Sequence, residues 1–398
     1  MDRRWAVALA PLALWALHHR LGHDGDIGFF HEWYLAFREG PAFYADGPGI
    51  NYPIVGVLLV CAPSALVELA VGHPLDLDAF RLVHKATLVV GDVGFVVAAA
   101  ALARALGWAR PRRLALVLYL CPSSFVVGAW FGQLDLIVVA LLLASATRLV
   151  GFAERGRGLA SGLALLHLAV LTKQLAWFAL PAFGLLVLLG LRRRGDLGRW
   201  IGAALSPLVW LLPDPLLTLP HGHLSHLVWV VARSVGHVDY VVASGASLWS
   251  LFVQGGVPVD DVRWLGLDAR SWSWIAWLAA QGVFAVRALR DPSPRRLVLF
   301  AGFGLLAMAT LLTGVHERYI AQSIPLLLLA DRGPGWRRAL GWITGVVSGL
   351  YVLGTILGDA WDGVRVWLLR PEPVALCALA WLVALLVSRR PEADRGAA

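Results

Sequence analysis

The stretch "NYPIVGVLLVCAPSALVELAVGHPLDLD", residues 51–78, decides how the chain is arranged. Its apolar part, 54–72, comes close to the roughly 20 residues that an α-helix needs to cross a bilayer. Neither end carries Lys or Arg, although basic residues mark the cytoplasmic ends of membrane spans. Whether this run crosses the membrane therefore determines on which side the following segments lie.

The composition is that of an integral membrane protein. Hydrophobic residues make up 59% of the 398 residues and charged residues only 15%, and the mean hydropathy is +0.70. Many of the 19 Trp residues lie near the ends of apolar runs, where their rings would sit at the level of the lipid headgroups. We therefore expect an all-α polytopic membrane protein, and a soluble helical protein is excluded.

The basic residues and the cysteines indicate no further partner. The net charge of +8 comes from Arg clusters between apolar runs, a pattern that membrane topology explains better than nucleic-acid binding. Cys61, Cys121 and Cys377 lie inside apolar runs without the spacing of metal ligands. The sequence therefore predicts no nucleic-acid partner, no disulfide framework, no metal site and no cofactor.

The Arg clusters predict the topology of most of the chain. If Arg3 and Arg4 are cytoplasmic, every later cluster must be separated from the one before it by an even number of crossings. The clusters lie at 104–113, 155–157, 192–199, 287–296, 332–338 and 389–390. The runs after 113 satisfy the rule: 114–131, 135–150, 159–172, 175–191, 200–218, 271–287, 297–315, 319–330, 339–357 and 373–388.

The first hundred residues contain three apolar runs, 5–21, 54–72 and 82–103, which is an odd number. One of them cannot cross, and 54–72 is the best candidate because it lacks flanking basic residues. We expect 22–81 to be one long external loop containing an interfacial or re-entrant helix at 54–72. The run 5–21 is then an uncleaved first span.

These assignments predict a bundle of about 12 transmembrane helices in the cell (plasma) membrane, with both termini cytoplasmic. The chain is expected to form a single domain over 1–398, with a second external loop region at 219–270 and C-terminal helices within 339–398.

In this topology the polar motifs collect on the external side. They are "HDGD" (23–26), "NYP" (51–53), "GQLD" (132–135), "TKQ" (172–174) and "HERY" (316–319). Ionisable groups at membrane depth are costly and usually mark a functional site. Any catalytic site is therefore expected on the outer face.

The order and spacing of these motifs resemble the bacterial and archaeal membrane mannosyltransferases related to the enzyme that adds the second mannose in glycosylphosphatidylinositol assembly. This family belongs to the GT-C class, and the resemblance covers about residues 24–330. It implies an inverting glycosyltransferase that takes a sugar, mannose in this family, from a polyprenyl-phosphate carrier. The partners would be this lipid-linked donor, a glycan, lipid or protein acceptor, and membrane lipid.

The resemblance also assigns residues. The family's "GD" acid falls on Asp26, which is thereby implied as the catalytic base with Asp24 secondary. Its "DYPP" becomes Asn51, Tyr52, Pro53 and Ile54, so an acid and a proline are lost. The residues expected to bind substrate are Asp24, Asn51, Tyr52, Gln133, Asp135, Lys173, Gln174, His316, Glu317, Arg318 and Tyr319.

The chemistry requires one base for the acceptor hydroxyl and cations for the leaving phosphate. Arg81, Lys85, Lys173 and Arg318 are candidates for the cations. Because Asp26, Gln133, Lys173 and Arg318 fall at the same outer depth, we expect them to line one external cavity.

Each motif also has a structural interpretation. Asp24 and Asp26 could cap a helix that begins near Ile27. "GQLD" could be a polar turn, and "HERY" a Glu–Arg network. Arg81, Lys85 and Asp92 share one helical face and could form ion pairs within or between helices.

The histidine-rich stretch "HGHLSH" (221–226), with His237 and Asp239, has spacing that a metal site could use. Substrate-facing or interfacial histidines explain it better.

Two other functions stay open. A lipid or sugar transporter or flippase could use the same charges as a pathway, although polar groups crowd the outer end and no repeat is visible. The changes at Asn51 and Ile54 are also compatible with a catalytically silent relative.

Overall fold

The computed structural model describes residues 11–12, 22–40, 43–44, 50–210, 239–242, 245–253, 256–358 and 370–387. The predicted first span, the end of the run 200–218, "HGHLSH" and His237 lie outside these residues, apart from Pro11 and Leu12. Two compact units are distinguished: 1–120, 125–177 and 187–237 form the first, and 121–124, 178–186 and 238–398 form the second.

The helices up to residue 210 follow the apolar runs. They are α1 (Asp24–Phe37), α2 (Ile54–Val71), α3 (Leu77–Ala105), α4 (Pro111–Tyr119), α5 (Pro122–Phe125), a π-helix (Val126–Trp130), α6 (Asp135–Arg155), α7 (Leu159–Thr172), a 3₁₀-helix (Gln174–Ala179), α8 (Leu180–Arg194), α9 (Leu197–Leu205) and a 3₁₀-helix (Ser206–Trp210).

From residue 239 onward the described segments are again mainly helical. They are two 3₁₀-helices (Leu248–Leu251 and Val259–Asp261), a hairpin of β1 (Arg263–Trp264) and β2 (Leu267–Asp268), α10 (Ala269–Arg290), α11 (Pro294–Leu311), α12 (Tyr319–Ala330), α13 (Gly335–Gly358) and α14 (Pro371–Val387).

Among the described residues, six segments are long and apolar enough to cross a bilayer, judged by length and composition: α2, α3, α6, the continuous run Gln174–Arg194, α11 and a stretch within α13. The shorter apolar helices in the same part of the chain are α7, α12 and α14. The structure is mainly helical and agrees with an all-α, multi-pass membrane protein, whereas the count of twelve spans stays a prediction.

The predicted span 114–131 is wrong as a single helix. Helix α4 ends at Tyr119, a four-residue helix follows, and 126–130 is a π-helix. Gly128 has a ψ of −114°, outside the helical region. A Cβ at Gly128 would lie 2.5 Å from Asp92 Oδ1, so only glycine lets the chain pass this carboxylate. Hydropathy detected the apolar run but carries no signal for the break.

Helix α2, the run of uncertain topology, is a single helix of 18 residues that ends at Gly72 in a left-handed C-cap. Val57, Val60 and Cys61 are fully buried, whereas the opposite face exposes Leu66 and Leu69 by 68% and 80%. This outward apolar face suits contact with lipid. Because its length also allows it to cross, the prediction that it does not cross stays a prediction.

Close helix contacts bring the polar motifs of the first unit together. A Cβ at Gly56 of α2 would overlap the carbonyl oxygen of Thr172 in α7, so the absence of a side chain lets the two backbones approach. A Cβ at Gly91 of α3 would likewise overlap Ile137 of α6. The segments before α2, after α7 and before α6 are therefore held close to one another.

Candidate functional site

Helix α1 begins at Asp24, three residues earlier than expected, and its N-cap is His23. Nδ1 of His23 accepts a hydrogen bond of 3.2 Å from the backbone N–H of Asp26, and its ring stacks on Phe131 with the centroids 5.1 Å apart. The interpretation of Asp24 and Asp26 as the caps of this helix is therefore wrong. Both lie in the first turn, where the helix dipole favours carboxylates.

The carboxylate of Asp26 contacts the "GQLD" motif. Nε2 of Gln133 donates a hydrogen bond of 2.8 Å to Oδ2 of Asp26, across 107 residues of sequence. Gln133 is presented here because Gly132 before it takes a φ of +97°, which permits a turn between the π-helix and α6.

The other end of the Gln133 amide contacts the "NYP" and "TKQ" motifs. Its Oε1 accepts a hydrogen bond of 2.6 Å from the Tyr52 hydroxyl and one of 3.3 Å from Nζ of Lys173. Lys173 also donates to Oδ2 of Asp135 at 2.8 Å and lies 5.0 Å from the centre of the Tyr52 ring. These five residues are hereafter the Asp26 network: Asp26, Gln133, Tyr52, Lys173 and Asp135.

Burial varies along the Asp26 network. Lys173 and Asp135 are each 1% exposed, Gln133 is 2% and Tyr52 is 4% exposed. The side chain of Asp26 is 27% exposed. The network therefore opens to the surroundings only at Asp26, among these five residues. "GQLD" is part of this network, not a solvated turn.

Beside Asp26, Arg81 of α3 donates to Oδ1 of Asp24 at 2.7 Å. Asp24 is 78% exposed and Arg81 is 18% exposed. Arg81 is thus the more accessible of the two expected phosphate-binding cations of α3, because Lys85 is fully buried and donates to the Trp130 carbonyl oxygen at 2.7 Å.

The polar face of α3 contacts neighbouring helices, and the expected ion pair is present for Arg81. Arg81 pairs with α1 through Asp24. Asp92, deeper along α3 and fully buried, accepts a hydrogen bond of 3.0 Å from the Tyr119 hydroxyl of α4.

The remaining predicted residues of the first unit lie next to the network in sequence. Asn51 is half-buried and directly precedes Tyr52. Gln174 opens the 3₁₀-helix after Lys173, and its buried Oε1 has no hydrogen-bond partner among the described residues.

The "HERY" residues belong to the second unit. Arg318 donates to Oε1 of Glu317 at 2.7 Å, and both are buried. His316 and Tyr319 pack edge to face with ring centres 5.3 Å apart. The Glu–Arg network expected for this motif is therefore present. The expectation that Arg318 shares a cavity with Asp26 stays a prediction.

Helix α1 is fixed at its far end by Tyr34. Its hydroxyl donates to Oε2 of Glu68 at 2.5 Å and accepts from the backbone N–H of Leu75 at 3.0 Å. Burial, followed by the hydrogen bond to Glu68, raises the pKa of the Tyr34 hydroxyl above its ordinary value. These bonds tie α1 to the end of α2, which fixes the orientation of the acidic first turn.

Sequence reasoning missed two histidines of the site. His23 was visible in "HDGD" but not as a cap, because Ser, Thr, Asp and Asn are the usual cap residues. His84 is fully buried, stacks on Phe80 and contacts the Gly132 carbonyl oxygen through Nε2 at 3.0 Å. Its only sequence signal was its position one turn after Arg81.

Metal ligation finds no support within the described residues, where no group of three or more His, Cys, Asp or Glu side chains could hold an ion. Asp239, which accompanies the histidine-rich stretch, is 85% exposed and lies 3.4 Å from Arg270. The histidines themselves are outside the described residues.

No protein-family model and no curated protein matches the chain. Its function is therefore inferred from its own residues and from the motifs of its sequence.

Proposed function

We propose that the chain is an integral-membrane inverting glycosyltransferase that moves a sugar, mannose in the first instance, from a polyprenyl-phosphate carrier to an acceptor. The observation that carries the proposal is the hydrogen bond between Gln133 and Asp26. It joins motifs that are far apart in sequence and places a partly exposed carboxylate at the open end of a buried polar network.

Asp26 acts as the general base in this proposal. Its carboxylate takes the proton of the acceptor hydroxyl while the hydroxyl oxygen attacks the anomeric carbon of the sugar. The bond between the anomeric carbon and the phosphate oxygen breaks, and its electron pair leaves with the polyprenyl phosphate. Attack opposite to the leaving group inverts the anomeric configuration.

Arg81 is the cation proposed for the leaving phosphate. A guanidinium group forms two parallel hydrogen bonds to a phosphate, which stabilises the charge that develops on it. Arg81 is already paired with the exposed carboxylate of Asp24, which a more highly charged phosphate can displace. Lys173 suits this role less well, because it is 1% exposed and paired with Asp135.

The proposed topology has twelve spans, both termini in the cytoplasm and the site on the external face of the plasma membrane. The six long and three short apolar helices found within the described residues support a many-span bundle. Helix α3, with 29 residues, is about 44 Å long and exceeds the ~30 Å hydrocarbon core. Arg81, in its second turn, then lies near headgroup level, where a lipid phosphate would be found.

The proposal is tested with the purified protein in lipid nanodiscs and a panel of radiolabelled polyprenyl-phosphate sugars, each combined with glycan, lipid and peptide acceptors. We expect transfer from one donor, with inversion at the anomeric carbon, and no transfer from nucleotide sugars. Transfer from nucleotide sugars alone, or from no donor in the panel, would contradict the proposal.

One observation favours the second candidate, a lipid or sugar transporter. Asp92 lies near the middle of α3 and is fully buried, and buried ionisable groups at this depth often mark a transport pathway. A transporter predicts that Asp92→Asn abolishes uptake or flipping of a fluorescent lipid-linked sugar in proteoliposomes. The glycosyltransferase predicts that sugar transfer persists in Asp92→Asn.

A further inference from the structure

We infer that Gln133 is a positioning residue for Asp26, and that Tyr52, Lys173 and Asp135 act through Gln133 instead of touching the sugar or the phosphate. This inference rests on the proposed function, because it assigns these residues a part in the same reaction. It changes the role that the resemblance implied for them, which was direct binding of substrate.

The Gln133 amide is held in one direction by its neighbours. Its oxygen faces two donors, the Tyr52 hydroxyl and the Lys173 ammonium group. An ammonium group only donates hydrogen bonds, so a reversed amide would bring two donors against each other. The NH₂ end is therefore held toward Asp26, where it donates to Oδ2 at 2.8 Å.

Lys173 is held in place by an ion pair with Asp135. Its ammonium group lies 2.8 Å from the Asp135 carboxylate, and both side chains are 1% exposed. Two charges buried in this way stay together because separating them would leave one unpaired in a medium of low dielectric constant. Asp135 thus fixes Lys173, which with Tyr52 fixes the amide of Gln133.

The residues of the Asp26 network differ in how accessible they are to a substrate. A substrate reaches Asp26, whose side chain is 27% exposed, before it reaches the other four residues of the Asp26 network, which are at most 4% exposed. A donor phosphate at Lys173 would have to displace a buried carboxylate. The burial therefore favours a supporting role over direct contact.

The consequence for the reaction is a carboxylate of fixed orientation. A donor on Oδ2 restricts rotation of the Asp26 side chain. Small displacements of a catalytic group cost large factors in rate. Gln133 is then expected to contribute to kcat and little to the binding of either substrate.

The experiment compares Gln133→Leu, Asp26→Asn and the double variant by steady-state transfer. For Gln133→Leu we expect kcat to fall roughly tenfold to hundredfold, a part of the ~10²–10⁴-fold attributed to a general base, with donor KM unchanged. In the Asp26→Asn background, Gln133→Leu has no further effect.

The role of the buried Lys173–Asp135 pair is tested with a variant that leaves no unpaired charge. Lys173→Met combined with Asp135→Asn removes both charges, and Tyr52→Phe removes the other donor to Gln133. We expect each change to lower kcat less than Gln133→Leu does, and the three together to reach its level. A rise in donor KM with unchanged kcat would overturn the inference, because it would indicate direct binding of the donor.

The matched control is Gln281→Leu. Gln281 is also a buried glutamine, 7% exposed, but it lies in α10 and its Nε2 has no partner among the described residues. The control is expected to leave kcat unchanged. An equal loss in Gln281→Leu would show that loss of any buried amide suffices and would overturn the inference.

The two proposals fail in different ways. If the wild type transfers sugar and depends on Asp26, but Gln133→Leu is as active as the wild type, only the positioning role is overturned. If the wild type transfers no sugar, the proposed function is overturned. The hydrogen bond between Gln133 and Asp26 is then tested by SDS-induced unfolding of the same single and double variants. Non-additive losses in the free energy of unfolding support the positioning role, and additive losses overturn it.

Discussion

At the residue scale, the Asp26 network joins a partly exposed carboxylate to a closed ion pair. The two carboxylates of the network have different partners: Asp26 accepts from a neutral amide, and Asp135 from an ammonium group. The side chain of Asp26 is 27% exposed, so an acceptor hydroxyl can reach it, whereas that of Asp135 is 1% exposed and enclosed with Lys173. Asp26 is therefore the better candidate for the base, and Asp135 for a structural role.

The buried pair gives a prediction about stability. Lys173→Met removes the cation that Asp135 contacts where both side chains are 1% exposed. Because breaking a buried ion pair costs about 3–5 kcal/mol, we expect the free energy of unfolding in mixed micelles to fall by that order. Lys173→Met combined with Asp135→Asn should recover most of the loss. Equal losses in the two variants would contradict the interpretation of a buried ion pair.

At the element scale, helix α10 shows how local sequence sets a boundary. Asp268 is its N-cap and accepts a hydrogen bond of 2.6 Å from the backbone N–H of Ser271. This bond, followed by that of the Ser271 side chain, lowers the pKa of Asp268 below its ordinary value. The charged carboxylate is the form that the helix end stabilises.

The cap gives a prediction about pH. Because the pKa of Asp268 is lowered in the folded state, its contribution is present above the ordinary Asp value of about 4 and is lost as the pH falls through the lower, folded value. Asn caps a helix equally well and does not titrate. We expect Asp268→Asn to match the wild type in unfolding midpoint near pH 7 and to lose less stability below about pH 4. Identical pH dependences would contradict the cap.

Helix α2 carries the topology prediction. If it does not cross, the residue after it, His73, is external like Asp26. We expect His73→Cys to react with a membrane-impermeant maleimide added to intact cells, in a background that lacks the three native cysteines. Reaction only in inside-out vesicles would show that α2 crosses, and the twelve-span arrangement would then be wrong.

At the scale of the whole molecule, hydropathy predicted the positions of most of the described helices. Helices α6, α7, α12 and α14 begin and end close to the predicted runs, because a chain in lipid satisfies its backbone hydrogen bonds within helices. The break around Gly128 was missed, since it depends on backbone geometry and on the nearby Asp92 carboxylate.

The candidate site was predictable in part. The common depth of Asp26, Gln133 and Lys173 followed from the topology, and the structure joins the three by hydrogen bonds. The burial of these side chains could not be predicted from the topology, because the depth of a residue along a helix does not show which way its side chain faces. For this reason Lys173 was predicted to bind phosphate, although it is enclosed with Asp135.

The central claim is that the Asp26 carboxylate takes the proton of the acceptor hydroxyl. Its most direct test is the rate of sugar transfer from the polyprenyl-phosphate donor used by the wild type, measured for Asp26→Asn beside the matched variant Asp24→Asn. Asn keeps the size of the side chain but not its basic lone pair, so we expect the Asp26→Asn rate to fall by about 100- to 10,000-fold. Asp24→Asn should cost much less, and both variants should insert and fold. Transfer at the wild-type rate by Asp26→Asn, or its loss in Asp24→Asn alone, would contradict the claim.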